Sequence, residues 1–330
     1  MQKPLVVLSV IAIAIFILQI FLLRGSHLSK KPQNRISLCQ KSHFSEKDEE
    51  FEEFEEYEHK LVYLDMGANW GNTLRLYKEY GKIDEAYRDQ PWYIFSFEAS
   101  PLINSYLVPL TDWLSTGEGE RPILDLPPSG SSNDLARFAR RYGCPSSASS
   151  AMRKCVWAAL EEPLKKLGEN PYPRLSEEEL SERMEIKPIR KGAKRQFNHV
   201  PAAVASYNGE MSIWGSPQQL IRGGALSHDS RDDKFTFTVP TVDIPTWIKN
   251  SFTEDDYLLV KMDVEGAEFE ILRQMIEDGS ISLIDRLLWE CHPHAGKKGE
   301  CGTLHDQMEK AGVEVLTEGP DYDGWDKCSL

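Results

Sequence analysis

One short stretch limits the fold of this chain more than any other. Leu61-Val62-Tyr63-Leu64 is an apolar, strand-like run ending at Asp65. Met66-Gly67-Ala68-Asn69-Trp70-Gly71-Asn72 follows, and Thr73-Leu74-Arg75-Leu76-Tyr77 begins a helical pattern. A strand, a glycine turn and a helix in direct succession open a βαβ unit of an α/β sheet. Glycines let the backbone approach a ligand closely, and the helix that follows presents free N–H groups. Such sheets bind ligands beyond the C-terminal ends of their strands.

The spacing narrows the ligand. Gly67 and Gly71 are separated by three residues, so the dinucleotide fingerprint G-x-G-x-x-G is absent, and no Gly-Lys-Ser/Thr loop occurs. A nicotinamide-dependent oxidoreductase is disfavoured on that ground. Asp65-x-Gly67-x-x-x-Gly71 instead resembles motif I of the class I S-adenosylmethionine-dependent methyltransferases. A second strand-like run, Trp92-Tyr93-Ile94-Phe95-Ser96-Phe97, ends at Glu98. An acid at that strand end can accept both ribose hydroxyls of a nucleoside. The competing reading is a solvated glutamate at a strand end.

The second half repeats the pattern. Leu258-Leu259-Val260-Lys261-Met262 leads to Asp263, and a helical pattern carrying Phe269, Ile271, Leu272 and Met275 follows. Arg286-Leu287-Leu288-Trp289 then ends in Glu290-Cys291-His292-Pro293-His294. Together the chain resembles the FkbM-type S-adenosylmethionine-dependent methyltransferases, whose hallmark K-x-D-V-E-G-x-E stands here as Lys261 to Glu268. Matching pieces are Phe97-Glu98-Ala99-Ser100-Pro101, Val200-Pro201-Ala202-Ala203-Val204 with the turn Asn208-Gly209, and Val239-Pro240-Thr241-Val242-Asp243. The likeness covers roughly residues 60–105 and 197–295, in consistent order.

The resemblance implies an α/β class I methyltransferase fold, a Rossmann-like, doubly wound, mostly parallel sheet, and methyl transfer from S-adenosyl-L-methionine, commonly to oxygen. Asp65, Gly67, Ala68, Asn69 and Gly71 would border the cofactor, Glu98 would hold its ribose, and Ala202 and Ala203 would contact the adenine. Asp263 and Glu265 would lie beside the transferred methyl group. Glu98 to Ala203 spans 105 positions, more than the family needs, so about 111–196 reads as an insertion. It contains a helical pattern near Ala151–Leu167 and a basic patch at Lys187–Arg195, and it is either a substrate lid or a surface excursion. Cys144 with Cys155, and Cys291 with Cys301, are pairs that would suit an oxidising compartment, although spacing does not fix connectivity.

Transfer to a hydroxyl requires alignment and removal of a proton. The candidates are Asp263, Glu265 and His292, with the base assigned to Asp263 or His292 and Glu265 orienting the acceptor. His292 titrates nearest neutrality. Asp263 and Glu265 also suit the N-terminus of the following helix as caps. Asp263, Glu265, His292 and His294 are apt ligands for a divalent metal, but no metal-specific spacing occurs and none is assigned. A catalytically silent binding module on the same fold is the other reading; Asp65, Glu98 and Asp263 argue against it.

Composition bears on anchoring and partners. Leu5–Leu23 is a 19-residue apolar run broken only by Ser9 and Gln19. As a helix it spans about 28 Å, enough for a bilayer core. Arg24-Gly25-Ser26-His27 lacks a small-x-small cleavage site, so residues 1–24 read as an uncleaved transmembrane anchor. The flank Arg24, Lys30, Lys31 and Arg35 outweighs Lys3 and favours a cytosolic domain, whereas six cysteines favour the lumen of the secretory route; the side stays open. Residues 25–59 read as a stem. Nine of the 52 acids lie between Glu46 and Glu58 against one base, so much of the net charge of -14 is local. Phe51, Phe54 and Tyr57 recur there every three residues, predicting a helix packed on the domain at 60–330 or on a partner. The acidic balance argues against a nucleic-acid binder, because phosphate neutralisation needs clustered Lys and Arg. The acceptor class is a small molecule, glycan or lipid, and the oligomeric state is not specified.

Overall fold

The computed structural model describes residues 54–82, 89–122, 143–145, 171–215, 235–292, 295–297 and 299–316, with parts of 151–169. The anchor at Leu5–Leu23, the residues of the stem before Phe54, and His294 lie outside them. No helix among the described residues is long and apolar enough to cross a membrane.

The chain enters through β1 (Phe54–Glu55) and β2 (Leu61–Met66), and α1 (Leu76–Tyr80), β3 (Trp92–Phe97) and α2 (Pro101–Thr116) follow. The described end of the acidic run is thus extended, not helical as its aromatic spacing predicts. Phe54 and Glu55 pair antiparallel with Ile189 and Arg190, and ladder hydrogen bonds replace packing of the stripe, leaving Phe54 exposed. The first helix also starts later than its pattern suggests. Thr73 donates its hydroxyl to Asp65 Oδ2 at 2.7 Å and accepts the Tyr63 hydroxyl on its carbonyl, so residues up to Arg75 stay in turns.

After α2 come α3 (Glu177–Met184), β4 (Ile189–Arg190), β5 (Arg195–Val200), β6 (Ala203–Ala205), β7 (Gly209–Gly215) and β8 (Phe235–Asp243). Of the stretch 111–196 expected to be an insertion, the residues to Thr116 belong to α2 and those from Arg195 to β5, both parts of the sheet's own layers. Its described residues between 151 and 169 are helical, and its basic patch folds as β4, a turn and the start of β5. Cys144 and Cys155 form a disulfide within it. Tyr172 N–H donates to the Pro101 carbonyl and Arg183 to the His199 carbonyl, which holds the insertion's return against α2 and β5. The remaining elements are α4 (Ile244–Ser251), β9 (Tyr257–Met262), α5 (Glu268–Asp278), β10 (Arg286–Trp289), α6 (Glu300–Lys310) and β11 (Glu314–Leu316).

Among the described residues six strands make one sheet in the order β11-β10-β9-β2-β3-β5, and every neighbouring pair is parallel. The chain builds outward from β2 through β3 to β5, then returns to lay β9, β10 and β11 on the other side. The direction reverses between β2 and β9, which makes that boundary the topological switch point. A smaller sheet, β6-β8-β7, stands after β5.

Strand periodicity puts Val62, Leu64 and Met66 on one face of β2 and Leu61 and Tyr63 on the other. The first set packs with Ile248 of α4, Phe269 and Leu272 of α5 and Met308 of α6, the second with Ile103, Leu107 and Leu110 of α2. Both faces are covered, which is why the strands read as continuous apolar runs. Leu64 is fully buried in the central strand. Its substitution by alanine should cost ~2–5 kcal/mol. Urea unfolding checks this as a lower midpoint at unchanged slope.

Candidate active site

Register sets the site. Met66 lies opposite Met262 and Phe97, Phe97 opposite Val200, and Met262 opposite Trp289. The next residue of each strand therefore falls in one row: Gly67, Glu98, Pro201, Asp263 and Glu290. Hydrogen bonds hold that row, from Asp263 N–H to the Met66 carbonyl, Glu98 N–H to Val200 and Glu290 N–H to Met262. A cleft opens at this edge, lined by Gly67, Phe97–Ser100, Ala202–Val204, Met211, Ile213, Asp263–Glu265 and Ala267. It encloses about 640 Å³, mouth included. Among its described lining residues none comes from the insertion.

Glu98 is the buried acid of this cleft, 5 % exposed. Its Oε2 accepts from Asn69 N–H at 2.9 Å and its Oε1 from Ser100 N–H at 2.8 Å. Burial pushes its carboxyl up to about 7 against those two hydrogen bonds. Each oxygen retains a lone pair, so the pre-aimed carboxylate can accept two further donors. Ala202, Ala203, Val204, Met211 and Ile213 form the apolar wall beside it.

The glycine turn holds the site more than it lines it. Gly67 lines the cleft at φ +80°, and a Cβ there would sit 1.9 Å from the Asp263 carbonyl oxygen, so only glycine lets β2 and β9 end this close. The Gly67 and Ala68 amides both donate to the Phe97 carbonyl. Asn69, at φ +50°, spends its amide on Glu98. Asp65 and Gly71, expected at the cofactor, point into the protein. Asp65 is fully buried, bonded to Thr73 and 3.6 Å from Lys261 Nζ, and burial raises its carboxyl pKa. Gly71, at φ +79°, faces Leu74, Leu107 and Leu110 within 3.1–3.3 Å of a would-be Cβ. Its small size serves the contact with α2.

The K-x-D-V-E-G-x-E segment works as one unit. Lys261 is 1 % exposed; its Nζ donates to the Gly67 carbonyl at 2.6 Å and the Met66 carbonyl at 3.3 Å, with Asp263 Oδ2 at 3.6 Å. Glu268, fully buried, accepts from Gly266 N–H on Oε2 at 2.7 Å. On Oε1 it meets both the His292 backbone N–H and His292 Nδ1, each at 3.0 Å. The other ring nitrogen, Nε2, then faces Asp263 Oδ1 at 3.8 Å, Glu265 Oε2 at 3.6 Å and Glu290 Oε1 at 3.9 Å. Asp263, Glu265 and His292 each offer a ligand atom within 4.8 Å of the others, a set that fits a metal ion.

Two expectations change here. The hydrogen bond to Glu268, reinforced by the neighbouring carboxylates, lifts His292 to about 9 against burial, so it holds its proton at neutral pH rather than titrating near it. Asp263 and Glu265 do not cap α5: its N-cap is Ala267, without a side-chain cap. Glu265 sits instead at φ +54° with its carboxyl raised by burial. Cys291, next to His292, is disulfide-bonded to Cys301 of α6. Sequence reasoning assigned no role to Lys261, Glu268 or the wall residues of β7. A lysine inside an apolar strand was the available signal, because a buried ammonium must be paired.

The family model of the FkbM methyltransferase domain matches residues 65–315. The chain belongs to the FkbM methyltransferase family. Neither the curated proteins nor the solved structures gave a match to it. The match begins at Asp65 and ends within β11, and so takes in the parallel sheet from the end of β2 onward and the whole cleft.

The position of Gly71 separates packing from ligand contact in this FkbM domain. Gly71→Ala should lose ~1–3 kcal/mol from left-handed strain and crowding against α2. Thermal melts should show the loss, while ligand affinity of the folded variant stays within twofold of the wild type.

Proposed function

We propose that this chain is an S-adenosylmethionine-dependent methyltransferase, anchored by Leu5–Leu23, that methylates a hydroxyl oxygen of a glycan, lipid or small molecule. One observation carries the reading: a buried, pre-aimed Glu98 carboxylate beside an apolar wall, with Asp263 and Glu265 across the same cleft. Those groups fit the cofactor's chemistry. An acid suits the two ribose hydroxyls, small apolar side chains suit an adenine face, and carboxylates suit a cationic sulfonium.

When bound, the cofactor supplies an electrophilic methyl group on sulfur. The chain's own residues bind, aim and remove the proton. Glu98 accepts the ribose hydroxyls, and the Ala202–Val204 wall excludes water from the base. Asp263 and Glu265 meet the acceptor hydroxyl and take up its proton as the new O–C bond forms, while the protonated His292 beside them orients the two carboxylates. Lys261 keeps Asp263 Oδ2 engaged, which leaves Oδ1 turned toward His292.

The apolar run supports anchoring by its length, and the disulfides Cys144–Cys155 and Cys291–Cys301 support a domain on the lumenal, oxidising side of the secretory route. Protease protection in intact vesicles tests that side: a protected domain is expected, and a digested one would exclude it.

The cofactor reading is tested by calorimetric titration with S-adenosylmethionine. A single site is expected, weakened about 10–100-fold by Glu98→Gln, the loss of charged hydrogen-bond acceptance. The pH dependence has a definite sign. The bound form needs the carboxylate and the unliganded carboxyl holds its proton up to about 7. Wild-type affinity should therefore fall as pH drops below 7 and level off above 8, and Glu98→Gln should flatten that profile. A folded wild-type chain that binds no S-adenosylmethionine would remove the reading.

A further inference from the structure

The polar cluster opposite Glu98 has more structure than proton transfer asks for. Four carboxylates surround one imidazole: Glu268 on the Nδ1 side, and Asp263, Glu265 and Glu290 on the Nε2 side. The three on the Nε2 side lie 3.6–3.9 Å away, too long for hydrogen bonds. Oxygen and nitrogen ligands held about 2.1 Å from one ion lie roughly 3–4 Å from each other. The spacing fits ligands around a shared cation better than hydrogen-bond partners.

The support behind the cluster fits the same reading. A metal-bound histidine normally gives its other ring N–H to a carboxylate, which fixes the tautomer and the ring plane. Glu268 does this for His292 while also holding its backbone N–H and that of Gly266, and it is fully buried. Asp263 is fixed from the far side, with Oδ2 toward Lys261 and Oδ1 toward His292. The Cys291–Cys301 disulfide ties the His292 loop to α6. His292 is 9 % exposed, whereas the Glu265 and Glu290 side chains are 37 % and 44 % exposed, so the cluster is anchored at depth and open to solvent, with Asp263 and Glu265 lining the cleft.

The geometry points to a divalent-cation site formed by Asp263 Oδ1, Glu265 Oε2 and His292 Nε2, where the ion displaces to solvent the Nε2 proton held in its absence, with Glu268 as the positioning residue behind the imidazole. Two hard oxygens and one imidazole suit an ion of the Mn²⁺ type, and three protein ligands leave positions open on the cleft side. Resting on the methyl-transfer reading, the site assigns the acceptor as a molecule that offers a hydroxyl oxygen directly to the ion. Coordination lowers the pKa of that hydroxyl. With Asp263 and Glu265 engaged as ligands, Glu290 replaces them as the base: the hydroxyl proton passes to its carboxylate, the O–C bond forms, and the methyl–sulfur bond breaks with its electron pair staying on sulfur.

The test needs no acceptor and no turnover. Full-length chain is stripped with chelator and titrated with Mn²⁺ alone, and the bound ion is examined by pulsed electron paramagnetic resonance. One saturable Mn²⁺ per chain is expected, with a ¹⁴N coupling from the His292 imidazole. His292→Ala should abolish that coupling, and Asp263→Asn should weaken Mn²⁺ at least tenfold. The wild-type coupling stands as evidence even where a variant fails to fold. No saturable binding up to roughly 1 mM Mn²⁺, the weak limit for a built site, would overturn the proposal. Saturable binding without nitrogen coupling would overturn it equally. Calorimetry with S-adenosylmethionine on the same stripped chain separates the two readings. Cofactor binding without Mn²⁺ binding removes the cation site and leaves the cofactor reading intact. Mn²⁺ binding without cofactor binding keeps the cation site and removes methyl transfer.

Discussion

The buried ammonium of Lys261 is the interaction on which the rest of the site depends. It sits in the middle of a parallel sheet, opposite Asp65 in the β2–β9 register, and no solvent reaches it. Its charge is answered by Asp65 and Asp263, and its protons by the carbonyls of Met66 and Gly67. Those carbonyls belong to the turn that the cleft is built on. One side chain therefore fixes the distance between β2 and β9 at the point where the sheet's direction reverses. Removing one member of such a buried set strands the opposite charges and costs about 3–5 kcal/mol. The gain is positional: Gly67, Glu98 and Asp263 are held in one row before any ligand arrives.

Glu268 plays the matching part at the far end of the same segment. Lys261 and Glu268 stand at the two ends of one eight-residue segment, and each is buried while the acids between them face outward. The first ties the segment to β2, and the second ties it to the loop after β10. Asp263 and Glu265 are thereby presented to the cleft by a backbone held at both ends. Electrostatics follow from that arrangement. With no cation bound, the hydrogen bond to Glu268 and the carboxylates that crowd His292 keep its imidazole protonated, while burial lifts Glu98 and Glu265 above the usual carboxylate range.

Much of this was legible in the sequence, for identifiable reasons. Buried parallel strands leave continuous apolar runs, so β2, β3, β9 and β10 could be read directly, and the residue ending each run marked the C-terminal edge of the sheet. Glu98, Ala202, Ala203, Asp263, Glu265 and His292 lie at one edge as that reading requires. The acidic run at Phe54 misled because a three-residue aromatic spacing mimics a helix, whereas its pairing partner, Ile189–Arg190, is distant in sequence. Gly71 and Asp65 misled for another reason. A glycine needed for contact with a helix, and an acid needed to answer a buried lysine, look in sequence like residues that meet a ligand. The proton on His292 was hidden because its partner Glu268 is 24 residues away.

What occupies the cleft between Glu98 and Asp263 decides whether these residues serve methyl transfer. A crystal structure of the chain with S-adenosylhomocysteine tests it most directly. The ribose hydroxyls are expected within hydrogen-bond distance of both Glu98 oxygens, the adenine against Ala202–Val204, and the sulfur turned toward Asp263 and Glu265. A ligand bound away from Glu98, or a cleft with no ligand at saturating concentration, would contradict it.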